Sequence, residues 1–264
     1  MIVCECYTDF EEVMEMLTEE RQAAILALLE KQQVVKSKEL VEQLDASEST
    51  VRRDLATLEA EGELIRIHGG AKKKYTIDEE EAMEDKTIKN VHDKRLIAKK
   101  AVSTVQDGET IYLDAGSTTY ECIEFLAAKK VTVVTNGIPH AVALVEKGVN
   151  TILIGGQIKP KTKAVVGATA SAQLEQYQFT DAFLGMNGIH STYGLTTPDV
   201  EEAALKKTAL QQANQSYVLA DASKFDKVHF VRVCELDDAI LVTTAGNPWI
   251  ERLDLDDKTM IWEA

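Results

Sequence analysis

From Asp93 to the C-terminus, short apolar runs alternate with stretches of helical periodicity, and this constrains the fold more than any other feature of the chain. The runs are Thr110–Asp114, Val131–Thr135, Thr151–Gly155, Thr180–Met186, Ser216–Asp221, Ala239–Thr243 and Thr259–Trp262. Helical patterns occupy Thr119–Ala128, Pro139–Lys147 and Val200–Asn214 between several of them. Strand, helix and strand in repetition build a largely parallel sheet covered by helices. Residues 93–264 are therefore expected to form one α/β domain.

A length of 264 residues leaves room for a second domain ahead of it. Residues 18–62 read as three helices. Thr18 is placed to cap the first, which turns Ile25, Leu28 and Leu29 inward, and Ser37 the second, from Lys38 to about Leu44. Ser47 caps the third, which runs to Gly62 and repeats Val51, Leu55 and Leu58 at core spacing. Residues 64–74 then alternate apolar and polar before Gly69-Gly70, the mark of a short strand entering a tight turn. Residues 75–92 are charge-rich and read as a linker, helical or extended. Residues 1–15 read as an acidic tail or as an extension upstream of the start.

Charge is distributed unevenly. The net charge of −15 argues against indiscriminate polyanion binding. Residues 18–74 nevertheless carry ten bases against eleven acids, and the bases cluster. Cys4, Cys6, Cys122 and Cys234 form no Cys-x-x-Cys pair and stand at no zinc-ligand spacing, so reduced structural thiols are expected and no metal or cofactor. No run approaches the roughly 20 apolar residues of a membrane span, and no basic-then-apolar leader opens the chain. The expected location is the cytoplasm, with no membrane partner.

Helices around a tight turn followed by a basic hairpin describe a winged helix-turn-helix. With Val51, Leu55 and Leu58 inward, Ser49, Arg53 and Thr57 face away and Arg52 flanks them. Ser47, Ser49 and Thr50 supply hydroxyls at a helix start, where the dipole attracts phosphate. Arginine's planar fork grips a guanine edge or a phosphate. Arg66 and His68 share one side of the hairpin, Gly69 and Gly70 permit close backbone approach, and Lys72, Lys73 and Lys74 add neutralising charge. A merely solvated helical face does not account for this spacing, the glycines and the local charge contrast together.

In the α/β domain, Asp114 stands at a strand's carboxyl end, where ligands of open sheets collect. Gly116 permits the turn after it, and Ser117, Thr118 and Thr119 form a hydroxyl-rich helix start. Taken singly, that start reads as a helix cap without ligand. Asn136, Gly155-Gly156, Gly185–Gly188 and Asp221–Phe225 follow other strands, so one polar crevice is expected, with Lys224 to neutralise a phosphate and Lys206 nearby.

Ser47-Glu-Ser-Thr-Val-Arg-Arg-Asp-Leu55, with Leu58-Glu59, Gly62 and Arg66-Ile-His-Gly-Gly-Ala71, resembles the DNA-binding signature of the DeoR family of sugar-operon repressors. Within it, Ala46–Thr50 and Met16–Arg21 are most similar to fructose-operon repressors, with lactose phosphotransferase repressors as near relatives. Asp114–Thr119, Thr135–Gly137, Gly185–Ile189, Gly194–Thr197, Glu201–Lys207 and Asp221–Phe225 resemble the family's sensor domain. The resemblance implies a winged helix-turn-helix over 16–74, double-stranded operator DNA as partner, and a sensor related to ribose 5-phosphate isomerases and coenzyme A transferases. It also implies a phosphorylated sugar, fructose 1-phosphate by subfamily, as effector. Its phosphate would meet Ser117, Thr118, Thr119 and Lys224, and its sugar Asp114, Asn136, Glu202 and Lys206. Homodimers or homotetramers are expected, since one module covers too little of an operator. The related isomerases carry carboxylates in an Asp-Gly-Ala-Asp-Glu loop, where this chain reads Gly185-Met-Asn-Gly-Ile189, so no enzyme is expected. The alternatives left open are an isomerase with a DNA-binding appendage, a lactose or tagatose operon repressor, and an activator with the same two domains.

Overall fold

The computed structural model describes residues 16–74, 82–253 and 259–264. The expected acidic tail, Cys4 and Cys6, and the acidic run of residues 78–81 lie outside the described residues. The chain divides into two compact units, with the boundary between Tyr75 and Thr76.

The first unit runs α1 (Thr18–Gln32), β1 (Val34–Lys36), α2 (Ser37–Gln43), α3 (Glu48–Ala60), β2 (Leu64–Ile67) and β3 (Gly70–Lys73). Its core gathers Ile25 and Leu29 of α1, Leu40 of α2, and Val51, Leu55 and Leu58 of α3. β2 and β3 form an antiparallel hairpin around His68-Gly69, with Ile67 opposite Gly70. Gly69 takes φ +82°, a left-handed conformation that favours glycine. β1, unexpected from the sequence, adds a third strand on the other side of β3. Only three residues long, it shows too little alternation to register as a strand.

Two of the three expected caps are corrected. Thr18 is the first residue of α1, whose entry is held by Leu17 N–H donating to the Glu20 carboxylate at 3.4 Å. Ser37 likewise opens α2, and its N–H reaches the Gly69 carbonyl at 2.8 Å, because the chain arrives from β1 rather than from a loop. Ser47 does cap α3, accepting from Thr50 N–H at 3.1 Å, and the helix stops at Ala60 before Gly62 at φ +83°.

The second unit opens with α4 (Met83–Ile88) and α5 (Val91–Val102). This revises the expected 75–92 linker. Met83 is buried, and its N–H bonds the Lys161 carbonyl, so residues 83–88 belong to the α/β unit. There follow β4 (Thr110–Leu113), α6 (Ser117–Tyr120), α7 (Cys122–Leu126), β5 (Thr132–Thr135), α8 (Ile138–Glu146) and β6 (Asn150–Leu153). Next come β7 (Gln157–Ile158), β8 (Val165–Val166), α9 (Ala168–Leu174), β9 (Phe179–Gly185), β10 (Gly188–His190) and β11 (Gly194–Thr197). The chain ends with α10 (Val200–Gln211), β12 (Ala213–Leu219), β13 (Val231–Cys234), β14 (Ile240–Thr243) and β15 (Ile261–Glu263).

The seven expected strands are the seven members of one parallel sheet, in the order β15-β14-β12-β9-β4-β5-β6. Both of its faces are buried, as crossover helices require. Along β4, Ile111 and Leu113 join one apolar cluster with α5 and α7, while Tyr112 joins the other with α9 and α10. The helix expected at Thr119–Ala128 instead starts at Ser117 and is interrupted at Glu121. The one expected to end at Asn214 stops at Gln211, because β12 already begins at Ala213.

Candidate functional site

Two sites emerge, one in each unit. On α3 the inward face consists of Val51, Leu55 and Leu58 together with Asp54. Asp54 is buried and accepts from Arg21 Nε at 2.5 Å and Arg21 Nη2 at 3.2 Å. This pair anchors α3 to α1 and fixes how the helix is rotated. The outward face carries Ser49, Arg52 and Arg53, all exposed. The Ser47 hydroxyl lies 2.8 Å from those of both Ser49 and Thr50, so these three form one small cap network. Arg52 pairs with Glu48 at 3.3 Å on the open surface, a contact that contributes little to stability. Arg53 makes no hydrogen bond or ion pair with a described residue, leaving its five donors available.

The hairpin adds Arg66 and His68, both exposed. Arg66 is braced against α3, its N–H donating to Glu59 at 3.1 Å and its guanidinium lying 3.8 Å from that carboxylate. Gly69 is exposed at the tip, whereas Gly70 is buried. A Cβ at Gly70 would sit 2.0 Å from the Val35 carbonyl oxygen, so this glycine serves the packing of β3 on β1.

In the second unit, the carboxyl ends of the parallel strands converge on two adjoining cavities. The smaller, about 50 Å³, is walled by Gly116, Ser117 and Thr118 after β4, Asn187 after β9, and Glu202 and Lys206 of α10. The larger, about 280 Å³, is walled by Lys86, Lys89, Asn90, Lys94, Asp221 and Lys224 among others. Lys86, Asn187 and Lys224 line both.

Three expected contact residues sit behind this wall. Asp114 is buried in an ion pair with Lys206 and accepts the Gly185 N–H at 3.0 Å. Thr119 donates its hydroxyl to the Asp114 and Gly116 carbonyls at 2.6 and 2.9 Å. Asn136 receives the Ala115 N–H at 2.8 Å and donates to Val165. All three shape the turn that presents Gly116, Ser117 and Thr118. Beneath it, His140 Nε2 approaches the Gly116 carbonyl at 3.0 Å, and burial lowers this histidine to about 4, against the opposing pull of Asp114 and that carbonyl.

Glu202 faces the smaller cavity but accepts from Thr162 Oγ1 at 2.9 Å, with Lys159 at 3.6 Å. The Gly185–Gly188 loop brings an amide, Asn187, and no carboxylate. Such a wall is equipped to hold a polar anion. Burial lowers the Lys224 ammonium from its usual range; Asp221 opposes this, and Lys86, Lys227 and Lys94 reinforce it.

Lys86, Lys89, Asn90 and Lys94 were missed as site residues because they fall in or beside the stretch read as linker. Lys86, Asn90 and Lys94 recur every fourth residue, but they share no single helix: α4 ends at Ile88, Asn90 takes φ 52° ahead of α5, and only the break between the two helices brings them to the cavity. Asn90 donates to Asp221 at 3.1 Å, tying α5 to the end of β12. Among the described residues no cluster of His, Cys, Asp and Glu could hold a metal ion, and no helix is long and apolar enough to cross a membrane.

Comparison with known proteins bears on both sites. The model of the DeoR-like helix-turn-helix domain matches residues 21–75, and that of the DeoR C terminal sensor domain matches residues 89–245. The chain belongs to the DeoR family. This DeoR-family chain is similar to a Bacillus subtilis (strain 168) protein, the uncharacterized HTH-type transcriptional regulator FruR, at 47% identity over 87% of this chain and 92% of that one. It is similar to the lactose phosphotransferase system repressor of Staphylococcus epidermidis, strain RP62A, at 35% identity over 84% and 90%. It is also similar to the HTH-type transcriptional regulator GlpR of Haloferax volcanii, at 34% identity over 94% and 96%. These relatives carry the names of regulators and repressors, not of enzymes. Among solved structures, ribose 5-phosphate isomerase A of Methanocaldococcus jannaschii matches with a TM-score of 0.39 and 23% identity, over 51% of this chain and 54% of that one. The eIF2B beta of Chaetomium thermophilum matches with a TM-score of 0.45 and 14% identity, over 64% and 57%.

Proposed function

We propose that this DeoR-family chain represses a sugar-utilisation operon, most closely a fructose operon, and is released by a phosphorylated sugar such as fructose 1-phosphate. α3 reads the major groove of the operator, with Arg53 and Arg52 toward bases and phosphates, Ser47, Ser49 and Thr50 at its start, and Arg66, His68 and Gly69 at the wing. The effector's phosphate engages Lys224 with the Ser117 and Thr118 hydroxyls, and its sugar hydroxyls engage Asn187, Glu202 and Lys206. The protein acts in the cytoplasm as a homodimer or homotetramer, so that two or more reading helices meet successive half-sites.

The observation that carries the reading is the pairing, in one chain, of an outward arginine face on a capped helix with a lysine-walled cavity at the strand ends of a parallel sheet. The FruR name of one relative supports the choice of fructose, and the lactose-repressor name of another supports a sugar operon more broadly. Release follows if the ligand prefers an arrangement unsuited to the operator; tight binding without such preference shifts nothing. Fluorescence anisotropy with the DNA upstream of the fructose operon tests it. Nanomolar binding that fructose 1-phosphate reverses is expected; operator binding indifferent to that compound sinks the assignment.

A further inference from the structure

We infer that His140, which lines neither cavity, is the positioning residue of the effector turn: its Nε2–H holds the Gly116 carbonyl, and through that one peptide it sets how Ser117 and Thr118 meet the phosphate. This rests on the sugar-phosphate reading above and deepens it by assigning the residue that orients those two contacts.

His140 is fully buried in the first turn of α8, which follows β5, whereas the turn it touches follows β4. The contact thus joins the ends of two neighbouring strands. Its direction follows from the partners. The Gly116 carbonyl oxygen only accepts, so the ring nitrogen 3.0 Å from it carries the proton. Thr119 Oγ1 stands 3.3 Å from the same nitrogen but has a single proton, and the Asp114 carbonyl at 2.6 Å is the nearer of that proton's two acceptors. Tyr120 N–H also donates to the Gly116 oxygen, at 2.9 Å, so the helix bond and His140 fill its two lone pairs.

The other ring nitrogen is orphaned. His140 Nδ1 is buried and meets no hydrogen-bond partner among the described residues. A second proton there would be a buried donor with nothing to accept it, which agrees with the lowering of this histidine by burial. An apolar side chain of like size would fill the same space without stranding a nitrogen. What the imidazole supplies here is the Nε2 donor.

The ring is also held in place. Tyr120 meets it edge-on, with centroids 5.2 Å apart, and a Cβ at Gly137 would stand only 2.4 Å from Nδ1. Gly137 has φ −91°, which any residue adopts, so the ring and not backbone strain calls for glycine there. In a planar trans peptide the C=O and N–H point opposite ways, so fixing the Gly116 oxygen on His140 turns the Ser117 N–H away from the ring. Gly116 has no Cβ to limit its own rotation, and the orientation of this peptide therefore depends on what holds its oxygen. Gly116, Ser117 and Thr118 all line the smaller cavity.

Calorimetric titration of the full chain with fructose 1-phosphate, beside melting temperatures, tests the assignment in three variants. His140→Leu is expected to bind about tenfold more weakly, the loss of one buried hydrogen bond. His140→Gln, whose side-chain amide carries an N–H at the reach of Nε2, is expected to recover most of that loss. Gly137→Ala keeps every donor but presses on Nδ1; it is expected to weaken binding too, and it replaces His140→Leu should the latter not fold. Wild-type affinity in His140→Leu or in Gly137→Ala overturns the inference. So does a His140→Gln variant as weak as His140→Leu, since the ring then only fills space, and so do affinities that merely follow the melting temperatures. If the wild-type chain itself does not bind fructose 1-phosphate, the sugar-phosphate reading falls and this inference with it.

Discussion

Asp54 accepts the guanidinium of Arg21 across 33 residues of chain, and both side chains are buried. In the triplet Arg52-Arg53-Asp54 two charges face solvent and the third is locked inside, so this ion pair decides which side of α3 is presented. Removing one partner of a buried pair strands the other. Asp54→Ala is expected to destabilise the first unit by about 3–5 kcal/mol, whereas an apolar Arg21→Met/Asp54→Leu replacement costs much less. Urea unfolding of both variants checks this, and equal losses would contradict it.

Arg53 is exposed and makes no polar contact with a described residue, so its truncation should leave the fold intact. Arg53→Ala is expected to weaken operator binding by about 1–3 kcal/mol while sparing sugar-phosphate affinity. Gel-shift titration at fixed salt reads the first and calorimetry the second. Undiminished operator affinity would remove Arg53 from the reading surface.

Gly70 lies against β1 so closely that even a methyl group meets a backbone oxygen at 2.0 Å. Strand pairing leaves that oxygen little room to yield. Gly70→Ala should therefore splay the hairpin at a cost of about 1–3 kcal/mol, a typical overpacking penalty. Loss of operator binding together with a lower melting temperature is the expected signature. A variant that melts like the wild type would show that β1 can move aside.

Lys224 stands in the walls of both cavities. Lys224→Ala is expected to keep operator affinity while losing release by the sugar phosphate, since the cation proposed to meet the phosphate is gone. Anisotropy competition measures this; dissociation at the wild-type ligand concentration would make Lys224 a bystander.

His140 is fully buried, and burial lowers it from 6.5 to about 4. Between those values the unfolded chain binds a proton that the native one refuses, so stability is full above pH 6.5 and declines as the pH falls toward 4. The shift is worth on the order of 3 kcal/mol at most. Asp181, raised by burial to about 6, works the other way, losing its contribution as pH rises from 3.8 to 6. In His140→Gln the first trend disappears, leaving a flatter or reversed slope in melting temperature across pH 4–6.5. An unchanged slope would refute this account.

The parallel sheet was legible because each of its strands is a separate apolar run, such as Ile111–Leu113 or Phe183–Leu184. The small sheets were not: β7, β8 and β10 hold two or three residues each, too few for a period to show. α4 was hidden because its charges resemble a solvated linker, although its Lys86 lines the cavity. At the strand ends the sequence marked the right loops but could not separate wall from scaffold. Gly116, Ser117 and Thr118 line the cavity, while Thr119, one residue on, spends its hydroxyl on the backbone. Arg21 and Asp54 escaped notice for a different reason, since periodic patterns send charges outward and their meeting depends on tertiary packing.

The strand order carries a consequence for synthesis. β4 lies beside β9, pairing Ile111 with Asp181, so the middle of the sheet cannot close until some seventy further residues have left the ribosome. The hairpin of the first unit joins immediate neighbours, and such local closure is fast compared with joining distant strands. A nascent chain halted near residue 170 would thus expose β4 with a bare edge, a liability for aggregation. The DNA reader would already have matured upstream of it.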